Sequence, residues 1–340
     1  MFRKETIIGK VKSTVYLIIN TFLNMFLETL NPIGKPYIVL LKPLGIGDLI
    51  MLSPLIELIK KKYGYVTVVS DYKNIFIDNN IKWISPRNLL TTKEKGFYIF
   101  PSPCFSNLRL LASKPMVYIG NLVRFSKQLK NINYDEQKNH YLDRANIIFQ
   151  TLNISLNHNL PYSIIKLKKI PCPQNYVCVS PFSNWETRRT PISEFLNLLV
   201  LKEKYFNEVI LVGSSAQEEL EYNKKVEIKL KSQGFKVVNL TGKTSISELA
   251  YVISKSSIYV GNDSGPTHIA MLLAKNVHVL DGCVPAHLRL PKNITLRNKI
   301  KTYGSAFNCD AFPCYSGLSE PKCKIKFHLQ CMKRTNFDDN

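Results

Sequence analysis

Apolar positions along the chain form two series, in which short continuous runs alternate with helically spaced stretches. Tyr37-Ile38-Val39-Leu40-Leu41 is a continuous run, the pattern of a strand buried on both faces of a parallel sheet. Behind it Leu49, Leu52, Leu55, Ile56 and Ile59 recur at helical spacing. Lys60-Lys61-Lys62 closes that stretch, where cations suit the helix dipole. Tyr65–Val68, Phe97–Phe100 and Met116–Ile119 predict further strands.

The second series follows a stretch containing Pro161, Pro171 and Pro173, which reads as a linker. Tyr176–Ser180, Val209–Val212, Phe235–Val238, Ser257–Val260 and Val277–Leu280 read as strands. Helices are predicted over 192–205 and 216–233, from Ile246 to Ser254 with Ser245 as cap, and from Pro266 to Leu273. Alternating strands and helices in both halves predict an α/β fold of two Rossmann-like, doubly wound domains. The domains expected are 36–165 and 166–340, the latter with a cysteine-containing tail, and 340 residues suffice for both.

Residues 1–35 stand apart. Arg3, Lys4, Lys10 and Lys12 precede an apolar run from Val15 to Leu30. Asn20, Asn24 and Glu28 mark a polar face, and Val15, Ile19, Leu23, Phe26 and Leu30 an apolar one. A membrane-spanning helix needs about 20 mostly apolar residues, and this run is too short and too polar. A basic amphipathic segment suits the membrane interface; packing on the protein's own body fits the pattern equally. Asn31-Pro32-Ile33-Gly34 stops the helix.

Composition adds two facts. Hydrophobic residues make up 45% of the chain and aromatics 11%, which excludes disordered, collagenous and coiled-coil classes. Lys plus Arg number 46 against 25 Asp plus Glu, a net charge of +21. Such a surplus attracts polyanions: nucleic acid, an anionic membrane face or phosphorylated glycans. Cys104, Cys172, Cys178 and Cys283 are scattered; Cys309, Cys314, Cys323 and Cys331 cluster late. No cleavable secretory signal is evident, so thiols in a reducing compartment are expected. The late cysteines, even with His328, lack the close pairs of common zinc sites, and no metal is expected.

Candidate chemistry falls where strands end, the ligand-binding edge of such folds. At Gly261–His268 a strand enters a turn and Pro266 takes the expected first helical position. Asp263 or Ser264 can cap, and Thr267 and His268 add donors to an anion site at the helix start. A plain strand-to-helix turn fits the same residues. In Gly45-Ile46-Gly47-Asp48 the glycines permit close backbone approach, but the third glycine of a dinucleotide fingerprint is missing. Asp48 suits a general base or a helix cap. Ser183, Asn184, Arg188 and Arg189, within Ser183–Pro191, suit a diphosphate or form a solvated basic loop. No nucleophile elbow or Asp-x-Asp metal motif accompanies them.

Five segments in order resemble glycosyltransferase family 9, the lipopolysaccharide heptosyltransferases. They are Leu44–Asp48, Ser183–Pro191, Val209–Gly213, Leu240–Ser245 with Glu248-Leu249-Ala250, and Asn262–Ala270, spanning residue 37 to about 285. The late Cys-Tyr and Cys-Met segments look like the tail of many members. The resemblance implies the GT-B architecture, two facing Rossmann-like domains with a cleft between them. It implies inverting transfer without metal or other cofactor, from ADP-heptose or another nucleotide sugar to a lipid A–Kdo or inner-core lipopolysaccharide acceptor. Asp48 matches the proposed general base, in an acceptor-side loop with Gly45 and Gly47. Ser183, Asn184 and Arg188 match donor-phosphate positions, Arg188 replacing a usual Lys. Asp263 matches a contact to sugar hydroxyls; Ser264, Gly265 and His268, beside Thr267, match the diphosphate site. Glu218 matches the acid on the nucleotide ribose, with Glu219 as the other register, and Thr190 replaces a usual Trp. A cytoplasmic protein peripherally bound to the inner membrane is implied, through its basic surface and residues 1–30; nucleic acid is not an expected partner. Two other readings stand beside it: the same fold moving another sugar in cell-surface glycan assembly, and a catalytically degenerate polyanion-binding protein.

Overall fold

The computed structural model describes residues 34–41, 44–91, 96–101, 117–120, 140–156 and 159–304, with Cys314 and Cys323. The expected helix within residues 1–30, and Cys104, Cys309, His328 and Cys331, lie outside the described residues. The chain divides into two compact units, Met1–Tyr134 with Leu142–Ile164, and Asp135–Tyr141 with Ile165–Asn340. Among the described residues no helix is long and apolar enough to cross a membrane.

The first unit runs β1 (Lys35–Val39), α1 (Ile46–Met51), α2 (Ser53–Tyr63), β2 (Val66–Val69), β3 (Ile81–Ile84), α3 (Pro86–Thr91), β4 (Gly96–Phe100), β5 (Val117–Gly120) and α4 (Asn146–Thr151). Its sheet has the order β3-β2-β1-β4-β5, parallel throughout. The apolar stripe after β1 behaves as its spacing dictates, since Leu49, Leu52, Leu55, Ile56 and Ile59 are all buried. It is two helices rather than one. Pro54 has no N–H to donate to Ile50, so a continuous helix would lose that bond, and the chain breaks at Leu52. Tyr37 and Tyr98 are register partners whose rings stack at 4.7 Å, joining β1 to β4. Strand β3 carries no long apolar run; it is a sheet edge with only Ile81 buried, which is why periodicity misses it.

The second unit runs β6 (Tyr176–Ser180), α5 (Ile192–Lys202), β7 (Glu208–Leu211), α6 (Gln217–Ser232), β8 (Lys236–Asn239), α7 (Ile246–Lys255), β9 (Ile258–Asn262), α8 (Gly265–Leu273), β10 (Val277–Leu280), α9 (Ile294–Arg297) and β11 (Ile300–Tyr303). The sheet order is β11-β10-β9-β6-β7-β8, again all parallel. Val177, Val179, Val209, Leu211 and Val260 face Phe195, Leu198 and Leu199 of α5 and Val226 and Leu230 of α6 in one core. Helix α7 starts at a capping box: the Ser245 N–H donates to the Glu248 carboxylate at 2.8 Å, and the Glu248 N–H to Ser245 Oγ at 3.4 Å. Strand order reverses between β6 and β9. That reversal opens a crevice at the strands' carboxyl ends, where doubly wound sheets bind ligands.

Candidate active site

Strands β6 and β9 end side by side, with Ser180 opposite Gly261. Asn262 closes β9 and ties the two loops together. Its Nδ2 donates to the Pro181 carbonyl at 2.7 Å, and its Oδ1 accepts the Thr190 N–H at 3.2 Å. The Thr267 hydroxyl donates to the Asn262 carbonyl and meets the Tyr259 hydroxyl at 2.9 Å. Thr267 therefore braces the turn from inside. Helix α8 starts one residue earlier than expected, at Gly265, so Pro266 is its second residue. Ser264 is the N-cap, in extended conformation at φ −149°, and its side chain makes no capping bond. Its Oγ is buried without a partner, at the positive end of the helix dipole.

Charge converges on the same turn. Asp263 Oδ1 lies 3.1 Å from His268 Nε2, and its Oδ2 lies 3.4 Å from Arg188 Nη1. Burial alone would push this carboxyl up; Arg188, His268 and Arg289 outweigh it and hold Asp263 well below the usual carboxylate range. With Nε2 turned to Asp263, the buried His268 Nδ1 has no partner. The Arg188 guanidinium lies over the Trp185 ring at 4.1 Å and stays 17% exposed.

Arg189 turns the other way. Its Nε and Nη2 donate to the Ser183 carbonyl at 3.0 and 2.9 Å, and it stacks on Phe182 at 4.1 Å. The turn carrying both arginines rests on Gly282. A Cβ there would come within 2.5 Å of the Thr187 carbonyl and 2.6 Å of Arg188 Cα, so only glycine lets the two backbones approach. The Cys283 N–H then donates to that same carbonyl at 3.0 Å.

Most of this site lies within a recognised stretch of sequence; Gly282 and Arg289 lie just beyond it. Residues 124–279 match the family model described as glycosyltransferase family 9 (heptosyltransferase). Over this stretch the chain is similar to glycosyltransferase family 9. Lipopolysaccharide heptosyltransferase 1 of Campylobacter coli is 25% identical over 176 residues, 48% of this chain and 51% of that protein. The match thus spans about half the length of this curated relative. Among solved structures, the family 9 glycosyl transferase of Veillonella parvula aligns with a TM-score of 0.63 at 15% identity, covering 82% of this chain and 89% of that one. The E. coli ADP-heptose lipopolysaccharide heptosyltransferase II aligns with a TM-score of 0.59 at 16% identity, covering 87% and 96%. These likenesses, with the two parallel sheets, identify the fold as GT-B.

The remaining residues of the family 9 pattern take distinct places. Ser183 is buried and offers its carbonyl to Arg189, while Asn184 is exposed. Glu218 is exposed and pairs with Arg189 at 2.9 Å. Glu219 is buried and accepts a hydrogen bond from Ser214, and burial pushes its carboxyl up. A Cβ on Gly213 would lie 2.3 Å from its Oε1, so Glu219 is the glutamate at the end of β7. In the first unit, Asp48 is the third residue of α1 and is half-buried, and its Oδ2 accepts the Gly45 N–H at 2.7 Å. It therefore serves as a helix-start acceptor, with Gly47 buried beside it. Trp185, within the Ser183–Pro191 segment but given no role there, belongs to the site, as do Arg289 and Gly282, which no local pattern marks. Arg289 is buried over the Tyr141 ring at 4.7 Å and acts on Asp263 through charge. Among the described residues no group of three or more His, Cys, Asp or Glu is placed to hold a metal ion.

Proposed function

We propose that the protein transfers a heptose from ADP-heptose to an inner-core lipopolysaccharide acceptor, with inversion and without a catalytic metal. The observation that carries this reading is the convergence, at the switch point of the second sheet, of a helix N-terminus, the Arg188 guanidinium and the unpartnered Ser264 Oγ. Such a set receives a diphosphate. The likeness to family 9 and the named activities of the similar proteins support the choice of sugar.

In this reading Asp48 takes the proton of the acceptor hydroxyl as its oxygen attacks the anomeric carbon from the face opposite the leaving diphosphate. The bond from that carbon to the β-phosphate oxygen breaks, and charge grows on the departing ADP. Arg188 and the α8 N–H groups stabilise that charge, which lowers the barrier only as far as they bind it more tightly than the ground state. Asp263 is fixed as an ionised acceptor by Arg188 and His268, the state needed to accept hydrogen bonds from sugar hydroxyls. Glu219, rather than Glu218, is the acid that reaches the nucleotide ribose, because it lies against Gly213 at the end of β7. Ser183 and Asn184 flank the phosphates from the loop after β6. The protein works at the cytoplasmic face of the inner membrane, held there by its basic surface and residues 1–30.

The test is ADP release from ADP-heptose in the presence of a truncated lipopolysaccharide acceptor. Asp48→Asn should lower turnover by about three orders of magnitude, within the range of general-base losses. It should leave ADP affinity within about twofold, since the diphosphate is held by the other unit. Unchanged turnover in Asp48→Asn removes the base assignment. Release from another sugar nucleotide but not from ADP-heptose keeps the chemistry and changes the sugar.

A further inference from the structure

Below the arginine turn lies a pair of thiols that the transfer chemistry does not use. Cys283 follows Gly282 and is 1% exposed. With Val284 it forms a small apolar cluster, against which Trp185 and Cys314 pack. Cys314 lies close enough to the Cys283 thiol to act on it, and the Arg188 charge acts on the same thiol. Cys314 and the Arg188 charge outweigh burial and hold Cys283 below the ordinary thiol range. Cys178 is the contrast: it is fully buried, and burial with the neighbouring Cys172 pushes its thiol far up, into an inert state. Cys314 is only partly buried and gives the pair its approach from solvent.

We propose that Cys283 and Cys314 are an oxidation site, closing to a reversible disulfide beneath the Arg188 turn. The oxidant is a peroxide. The Cys314 thiolate attacks one peroxide oxygen, the O–O bond breaks, and hydroxide leaves a sulfenic acid on Cys314. The Cys283 thiolate then attacks that sulfur; the S–S bond forms, the S–O bond breaks, and a second hydroxide leaves. The two thiol protons neutralise the two hydroxides, so two thiols and one peroxide become one disulfide and two waters. Closure removes a negative charge beside Arg188. It also ties the segment at Cys314 to the loop on which the arginine turn rests. This site stands independently of the transferase reading, because it is detected by mass and not by turnover.

The experiment treats the full-length protein with hydrogen peroxide, alkylates the remaining thiols and maps peptides without reduction. The Cys283–Cys314 link should exceed every other pair about tenfold and vanish on treatment with dithiothreitol. Cys314→Ser, at the partly buried position, should abolish every disulfide to Cys283. Cys283→Ser should leave a Cys314 sulfenic acid that dimedone traps. A wild-type Cys283 that stays alkylatable under peroxide, or that links chiefly to Cys309, Cys323 or Cys331, overturns the proposal. So does a Cys314→Ser protein that still forms a disulfide at Cys283.

Discussion

Arg188 and Arg189 are chain neighbours with opposite surroundings. Arg188 reaches Asp263 across the crevice end of β9, while Arg189 is spent on the Ser183 carbonyl, the Phe182 ring and Glu218. A two-residue basic pattern does not tell them apart, because the 3-10 turn at Glu186–Arg188 sets which side each faces. Asn262 is the residue on which both loops depend. Truncating it strands the buried Thr190 N–H and Pro181 carbonyl together. Asn262→Ala should therefore cost about 2–4 kcal/mol of unfolding free energy, read as a lower denaturant midpoint at unchanged slope. A change under about 0.5 kcal/mol would mean that water replaces both partners. Thr267 shows the converse. Its hydroxyl type suits a ligand, and the fold uses it to brace the Asn262 turn.

At the scale of elements, strands with a continuous apolar run were legible, the edge strands β5 and β8 among them, and β3 and β11 were not. β6 and β10 coincide with their apolar runs because sheet neighbours and helices bury both faces. In β3 Lys82, and in β11 Lys301 and Thr302, interrupt the apolar residues, so no continuous run marks these two edge strands. The stop between α1 and α2 was present in the sequence as Pro54, but an unbroken apolar stripe concealed it. Loop contacts between elements are a further layer. Gly282→Ala should push the Thr187–Arg188 turn away by a few tenths of an ångström or more. The expected cost is about 1–3 kcal/mol, an overpacking penalty, and calorimetry should show weaker ADP binding alongside the lower melting temperature. A variant with unaltered melting and ADP affinity would show that the turn is free to shift without consequence.

For the whole molecule, the charge of +21 is the dominant long-range property. In the proposed reading, exposed lysines attract an anionic membrane face through a field screened over about 8 Å at physiological ionic strength. Binding to vesicles containing anionic lipid should therefore fall by at least about tenfold between low and high salt, measured by co-sedimentation. Deleting residues 1–30 should weaken it further if the segment inserts its apolar face, and leave it unchanged if the body's charge suffices. Salt-independent binding would assign the attraction to apolar insertion alone.

The sequence by itself determined two α/β units, their strands with continuous apolar runs, their main helices, and the strand ends where the candidate site residues collect. These follow from short-range causes: side-chain period, proline and glycine backbone limits, and capping at Ser245. The tertiary structure alone decided the strand orders, and hence that the loops after β6 and β9 meet at a reversal point. It also paired Arg188 with Asp263, placed Glu219 rather than Glu218 behind Gly213, and set Cys314 against Cys283. Each of these is a choice of partner between segments far apart in the chain. Burial and charge decide such partnerships only once the sheet has brought the segments together, so no local pattern encodes them.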